Sequence, residues 1–221
     1  MRRWSTRSGA LAAALCLAAG ALARAQPAAP AQVRARVHLV VLRDFPAAWA
    51  RAVARALERD LEVEAVVTPG ARPLPAEAYY PPRRRWRGER LLAALTREHA
   101  ALPPTDRVLG LTSADISTTA HGFEDWGILG IADLGERAAV VSSFRMRRRA
   151  RGAAHAEWRM TTTAVHEVGH ALGLPHCDEP ACLMRDAEGS MSTVDAGDGS
   201  LGPRCRALLD RIAPRRPVRG P

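Results

Sequence analysis

Residues 166–177 read His-Glu-Val-Gly-His-Ala-Leu-Gly-Leu-Pro-His-Cys. His166 and His170 stand four apart, so on an α-helix they share one face, a turn from each other. Imidazoles so placed can reach one metal ion at about 2.0–2.1 Å. Glu167 sits beside the first histidine, where its carboxylate can bond to water on that metal without taking a coordination place. Val165, Val168 and Leu172 form a separate apolar stripe that can anchor the helix in a core. Gly173 falls where the helix should stop, because a residue without a Cβ enters the left-handed conformation that turns the chain. The turn allows His176 to swing back as a third ligand. Three nitrogen ligands leave a fourth position open to water, the arrangement of a catalytic zinc rather than a closed structural one.

Agreement of five fixed residues over this span goes well beyond incidental histidines in a chain with 7 His among 221 residues. The other histidines, His38, His99, His121 and His155, are scattered and read as packed or surface groups. His121, in a Gly-containing loop, is the one of these retained as a secondary candidate.

Past the third histidine come Cys177, then Cys182 after a four-residue gap, Leu183 and Met184. This HExxHxxGxxHC-x4-C-x-M run resembles the archaemetzincins of the metzincin clan of zinc peptidases. Leu74-Pro75 with Tyr79-Tyr80-Pro81, Val108 to Thr112 and Ala138 to Ser142 also resemble that family in order and spacing, so the similarity covers most of the chain. The resemblance implies an α+β, metzincin-like fold. Its parts would be an N-terminal mixed twisted sheet with helices, an active-site helix at roughly 159–172 and an irregular C-terminal subdomain with a Met-turn. It implies a zinc-dependent peptidase with a peptide or protein substrate, one catalytic zinc on His166, His170 and His176, and Met184 packed beneath the metal. The strand near Gly127 to Ala132 would be the edge along which an extended peptide lies. No Tyr lies near Met184, so an added tyrosine ligand of the astacin sort has no candidate.

The family also carries a downstream CxxC that joins the two earlier cysteines on a second, structural zinc. Here the position reads Gly202-Pro203-Arg204-Cys205, so the first cysteine is missing. Cys177, Cys182 and Cys205 fall one thiolate short of a closed tetrahedral cage, and Asp178 is the nearest carboxylate in sequence. The other reading is a disulfide, Cys182 or Cys177 with Cys205. It would close a loop of roughly 20–30 residues and contribute about 3–4 kcal/mol in the chain-entropy model. Oxidising conditions outside the cytoplasm favour the disulfide and a single tightly bound zinc.

Export follows from the first residues. Arg2, Arg3 and Arg7 form a positive n-region, Gly9 to Leu22 is apolar, and Ala23-Arg24-Ala25 offers small residues at a cleavage site. An apolar run of about 14 residues is too short to cross a ~30 Å hydrocarbon core. Residues 1–25 therefore read as a signal peptide, with Gln26 as the mature terminus in the periplasm or medium. Cys16 and four Arg leave with it, and the net charge falls from +9 to +5.

The composition, 47% hydrophobic and 25% charged, is that of one globular domain rather than a disordered chain. Arg carries all the basic charge, since the sequence contains no Lys. Arg83, Arg84, Arg85 and Arg87 surround Trp86, and Arg145, Arg147, Arg148, Arg149 and Arg151 form a second cluster. They read as solvated loops or as a surface for anionic partners, and export argues against nucleic acid. A second functional reading is thus a zinc-binding protein of the same fold with little turnover, acting as an Arg-rich binding module.

The positioning elements follow from periodicity. An Ala/Pro linker occupies 26–32, the domain 33–213 and a frayed tail 214–221. Val37 to Leu42 is continuous apolar β-type sequence, Pro46 can open a helix through Trp49, Val53, Ala56 and Leu57, and Leu61 to Val67 reads as a strand. Such a βαβ unit begins a parallel sheet. Leu74 to Pro82 reads as irregular and Glu89 to Ala100 as a helix. Arg107 to Leu111, Ile128 to Ala132 and Ala138 to Ser142 read as strands, the last two as a hairpin.

Overall fold

The computed structural model describes residues 32–187 and 189–218. The segment 1–25 expected to be a signal peptide, with Cys16, and most of the expected linker lie outside these residues.

Strand β1 (Gln32–Val33) leads into β2 (Arg36–Leu42), helix α1 (Ala47–Leu61) and β3 (Glu64–Val67). β2 and β3 pair in parallel, the expected βαβ unit. α1 runs to Leu61, so the strand begins three residues later than expected, after a left-handed Glu62 with φ 54°. The segment read as irregular holds short 3-10 turns and β4 (Tyr79–Tyr80), followed by β5 (Arg85–Arg87) and α2 (Gly88–Glu98). Next come β6 (Arg107–Thr112), β7 (Ile116–Ala120), β8 (Phe123–Gly127), β9 (Gly130–Ala132) and β10 (Ala138–Ser142). Helices α3 (Ala153–Ala171), α4 (Met191–Ala196) and α5 (Pro203–Ile212) and a last strand, β11 (Arg216–Pro217), complete the mixed α+β fold.

The main sheet has the order β3-β2-β6-β10-β9. Its first four strands are parallel, and β9 closes one edge antiparallel to β10, as the hairpin expectation required. Alternate residues serve opposite faces. Val37, Leu39, Leu109, Leu111, Ala139 and Val141 cluster with α1 and α3. Val40, Leu42, Val108 and Val140 cluster with Leu91, Leu92 and Leu95 of α2. Both faces are covered, which is why these strands read as unbroken apolar runs. Each fully buried Leu or Val contributes roughly 1.5–3 kcal/mol relative to exposure.

A smaller sheet, ordered β4-β5-β7-β8, was not expected. Its hairpin β7–β8 is rich in Ser, Thr and acidic residues, so the usual apolar alternation is missing. Ala120 pairs with Phe123 across a two-residue turn in which His121 and Gly122 have φ 52° and 77°. Positive φ at both positions matches the twist of a tight hairpin.

α3 starts at Ala153, six residues before the expected 159. Arg159 hides that extension, because it is a charged residue on the core face, only 2% exposed. It is satisfied by Asp195 at 2.6 and 2.7 Å and by the carbonyls of Met146 and Arg148. The C-terminal part is less irregular than expected: α5 opens with Pro203 at its first turn and buries Cys205 and Leu209. The segment read as a frayed tail pairs instead, Arg216 with Val33 and Pro217 with Gln32. Arg34, 5% exposed, holds this junction through Asp210, Glu62 and the Ala213 carbonyl.

Candidate metal centre

α3 ends in a Schellman turn. The Leu174 N–H donates to the Gly169 carbonyl at 2.9 Å and the Gly173 N–H to the His170 carbonyl at 2.8 Å. Gly173 has φ 103°, a conformation that a side chain would strain. Two further donors satisfy the last carbonyls of the helix: Gly135 N–H on His170 and Arg107 Nε on Ala171, at 2.8 and 2.7 Å. The turn does more than reverse the chain. It puts the Leu174 carbonyl 2.7 Å from His170 Nδ1.

His166 is held in the same way, its Nδ1 2.8 Å from the Leu183 carbonyl. A carbonyl only accepts, so each Nδ1 carries the proton and each Nε2 is a bare lone pair. These two Nε2 atoms nevertheless lie 2.9 Å apart. Neither can donate to the other, and a cation on which both converge resolves the conflict. Burial, followed by the field of His170, pushes His166 down to about 4, which keeps it neutral at ordinary pH. His170 is lowered too, first by burial.

The turn returns His176 to the same place. One nitrogen from each of the three histidines lies within 4.8 Å of the others. Asp186 Oδ2 sits 3.3 Å from His176 Nδ1, a carboxylate orienting a metal-ready imidazole. No spacing rule in the sequence marks Asp186, which reaches the site only because the Met184 turn folds under it. The donor set, three imidazoles with an open side, fits zinc.

Glu167 lies on the cleft side, 7% exposed, against Gly130 of β9. Without a cation, burial pushes its carboxyl up to about 8, and Asp186 adds to the rise. A divalent cation opposes both effects. On the opposite side of α3, Met184 is fully buried, its Sδ 2.7 Å from where a Cβ on residue 169 would stand. Gly169 is therefore the notch that lets the sulfur sit under the helix between the two histidine turns.

A cleft of about 270 Å³ joins these groups; Leu129, Ile131 and Trp126 line it on one side, Thr163 and Val194 on the other. His121, the secondary candidate, is at its rim, 4.9 Å from the Trp126 ring. The remaining histidines have structural partners: His38 with Asp106 at 3.0 Å, His155 with Asp195 at 3.0 Å and His99 with the Leu95 carbonyl at 2.9 Å.

Comparison with known proteins agrees with this geometry. The model of the matrixin peptidases (peptidase family M10) matches residues 48–195. The archaemetzincin of Halobacterium salinarum is 27% identical over 181 residues, covering 79% of this chain and 99% of that protein. The one from Archaeoglobus fulgidus is 38% identical over 111 residues, 50% of this chain and 62% of that protein. The chain belongs to the metzincin zinc peptidases, on the archaemetzincin branch. Crystal structures of archaemetzincins superpose on it. That from Methanopyrus kandleri has a TM-score of 0.67 at 28% identity, with 80% of this chain and 94% of that chain covered. The Archaeoglobus fulgidus structure gives 0.63 at 29%, with 78% and 98% covered. The protein is thus a zinc metallopeptidase.

The cysteines of this metzincin differ from the disulfide expectation. Cys177, Cys182 and Cys205 are free thiols, and their sulfurs lie within 4.8 Å of one another. Burial pushes Cys205 up, and the two neighbouring thiols push it further.

Proposed function

We propose that this metzincin hydrolyses peptide bonds with zinc held by His166, His170 and His176 and with Glu167 as general base. The observation that carries the reading is the pair of bare Nε2 lone pairs, 2.9 Å apart, with a third imidazole alongside. Zinc there supplies Lewis acidity, polarising a carbonyl and making water more acidic. The Leu174 and Leu183 carbonyls keep both helical imidazoles in the tautomer that presents Nε2. Glu167 takes a proton from the attacking water as its oxygen bonds to the scissile carbon. The same carboxyl then gives that proton to the amine nitrogen as the C–N bond breaks. β9 has β10 as its ladder partner on one side, and its other side can accept an extended peptide as an added strand.

Glu167→Gln should lower turnover on a cleavable peptide by roughly 10²–10⁴-fold while zinc content holds. His170→Ala should lose zinc and activity together. Wild-type turnover in Glu167→Gln would sink the assignment, and zinc retention with no turnover in the native protein would favour the binding-module alternative. The Arg clusters lend that alternative little support, since Arg83, Arg85 and Arg145 are ion-paired to Asp115 or Asp125, and Arg87 to Glu89.

The same proposal includes export. Residues 1–25 would be removed and the catalytic unit, 33–213, would work in the periplasm or medium. Mass spectrometry of the native protein should give a terminus at Gln26; an intact Met1 in the cytoplasmic fraction would reject this part.

A further inference from the structure

The rims of the cleft meet at one end. β9 runs beside α3 in the same sense: Gly130 lies against Glu167, and the Gly135 N–H donates to the His170 carbonyl at 2.8 Å. Residues before Gly130 therefore lie towards Thr163, on the turn of α3 that precedes the histidines. One rim there is the end of β8, Trp126 and Gly127; the other is Gly189, in the loop between Met184 and α4. A Cβ at 189 would stand 3.1 Å from Trp126 Nε1 and 3.4 Å from the Gly127 carbonyl oxygen, so the loop backbone rests on the hairpin. Two contacts brace the hairpin in place. Phe123 stacks on Trp126 with ring centroids 5.8 Å apart, and Arg145, paired with Asp115 at 2.6 Å, packs against Gly127.

Strand geometry sets how much substrate fits before this closure. Gly127 is three residues ahead of Gly130, and an extended chain rises about 3.3 Å per residue, so the closure stands about 10 Å from Glu167. That room takes roughly two or three residues of an extended peptide and no through-going chain. A peptide added antiparallel to β9, the commoner pairing by roughly two- to three-fold, points its carboxyl end at the closure. The groups waiting there are donors. The Trp126 Nε1–H is at the closure itself, and His121, exposed on the hairpin turn 4.9 Å from that ring, carries an N–H in either neutral tautomer. Among the described residues that line the cleft, the acidic ones are Glu167 and Asp186, and both belong to the histidine site. The closed end thus matches a carboxylate and offers nothing to an ammonium group.

Building on the peptidase reading, we propose that this protein is an exopeptidase that trims the carboxyl end of its substrates, with Trp126 and His121 receiving the terminal carboxylate. The released piece is a short peptide of about two or three residues. Water adds across the scissile bond, leaving a new carboxylate on the longer fragment and a free amine on the short one. Nothing is oxidised or reduced. The substrates are therefore peptides with an unblocked carboxyl terminus rather than the interiors of long chains.

The test uses the full chain loaded with zinc and peptides of one sequence whose ends are free or blocked. Mass spectrometry should show a short carboxyl-terminal fragment released whether or not the amino end is acetylated. Amidating the carboxyl end should lower kcat/KM about ten-fold or more. His121→Ala, at an exposed position, should erase much of that preference with zinc content unchanged. Trp126→Ala should open the closed end, so that amidated peptides are cut in their interior. A readout without turnover is binding: Glu167→Gln protein should hold the free peptide more tightly than the amidated one. Interior cleavage of the amidated peptide by the native protein at the rate of the free one, release of amino-terminal fragments, or an unchanged preference in His121→Ala overturns the proposal and leaves the peptidase reading standing. Absence of any cleavage removes the peptidase reading, and this proposal with it.

Discussion

Glu167 rests against Gly130 so closely that a Cβ at 130 would stand 2.6 Å from both its Cγ and its Oε1. The edge strand and the active-site helix can approach this far because position 130 has no side chain. Gly130→Ala should push the carboxylate aside. A displacement of about 1 Å in a reacting group costs up to about 10²-fold in rate. Turnover should fall by that order while zinc content is unchanged, as measured by peptide cleavage beside elemental analysis. Full activity in Gly130→Ala would mean that Glu167 need not sit where it does.

Asp186 orients His176 across 3.3 Å, while both side chains are about half exposed. Asp186→Asn keeps the size but removes the charge, so zinc should bind about 10–100-fold more weakly. A chelator competition series gives the number, and an affinity equal to wild type would show that the pair is incidental.

Gly173 holds φ 103° at the turn that supplies both the Leu174 carbonyl and the return of His176. Gly173→Ala places a Cβ in that conformation, with a cost of about 1–3 kcal/mol. Both the melting temperature and the zinc affinity should drop. A loss of stability without loss of zinc would show that the histidines reach the metal by another path.

Metal-free protein should respond to pH through Glu167. Its folded value, about 8, lies above the ordinary 4.5. The folded state therefore holds that proton more tightly, and the stability it adds is full below about 4.5 and lost as pH rises towards 8. His166 works in the opposite sense. Its folded value, about 4, lies below 6.5, so its contribution is present above 6.5 and lost as pH falls through 4. Thermal melts of the chelated protein between pH 5 and 8.5 should show the alkaline loss, and Glu167→Gln should abolish it. An identical pH profile in Glu167→Gln would reject the buried-acid account.

The sequence by itself determined the chemistry-bearing core of this protein. His166, Glu167, His170, Gly173 and His176 are local, and helical period plus one left-handed turn places them without knowledge of the rest of the chain. The parallel sheet was legible for a similar reason, because strands covered on both faces must be apolar throughout. What failed to show was polar. The β7–β8 hairpin lacks apolar alternation, and the first two turns of α3 carry Arg159 on the core face.

Tertiary structure alone decided what supports the histidine site. The Leu183 carbonyl, Asp186 and Gly130 come from other segments, and nothing in their local sequence says where they point. Glu179 and Asp178 are the sharpest case. They are adjacent carboxylates in one loop, yet one turns towards the cysteines and the other pairs with Arg204 in solvent. The physical reason is the range of the interactions: helix period and turn chemistry act over a few residues, whereas ligand and support contacts depend on which distant surfaces the hydrophobic core brings together.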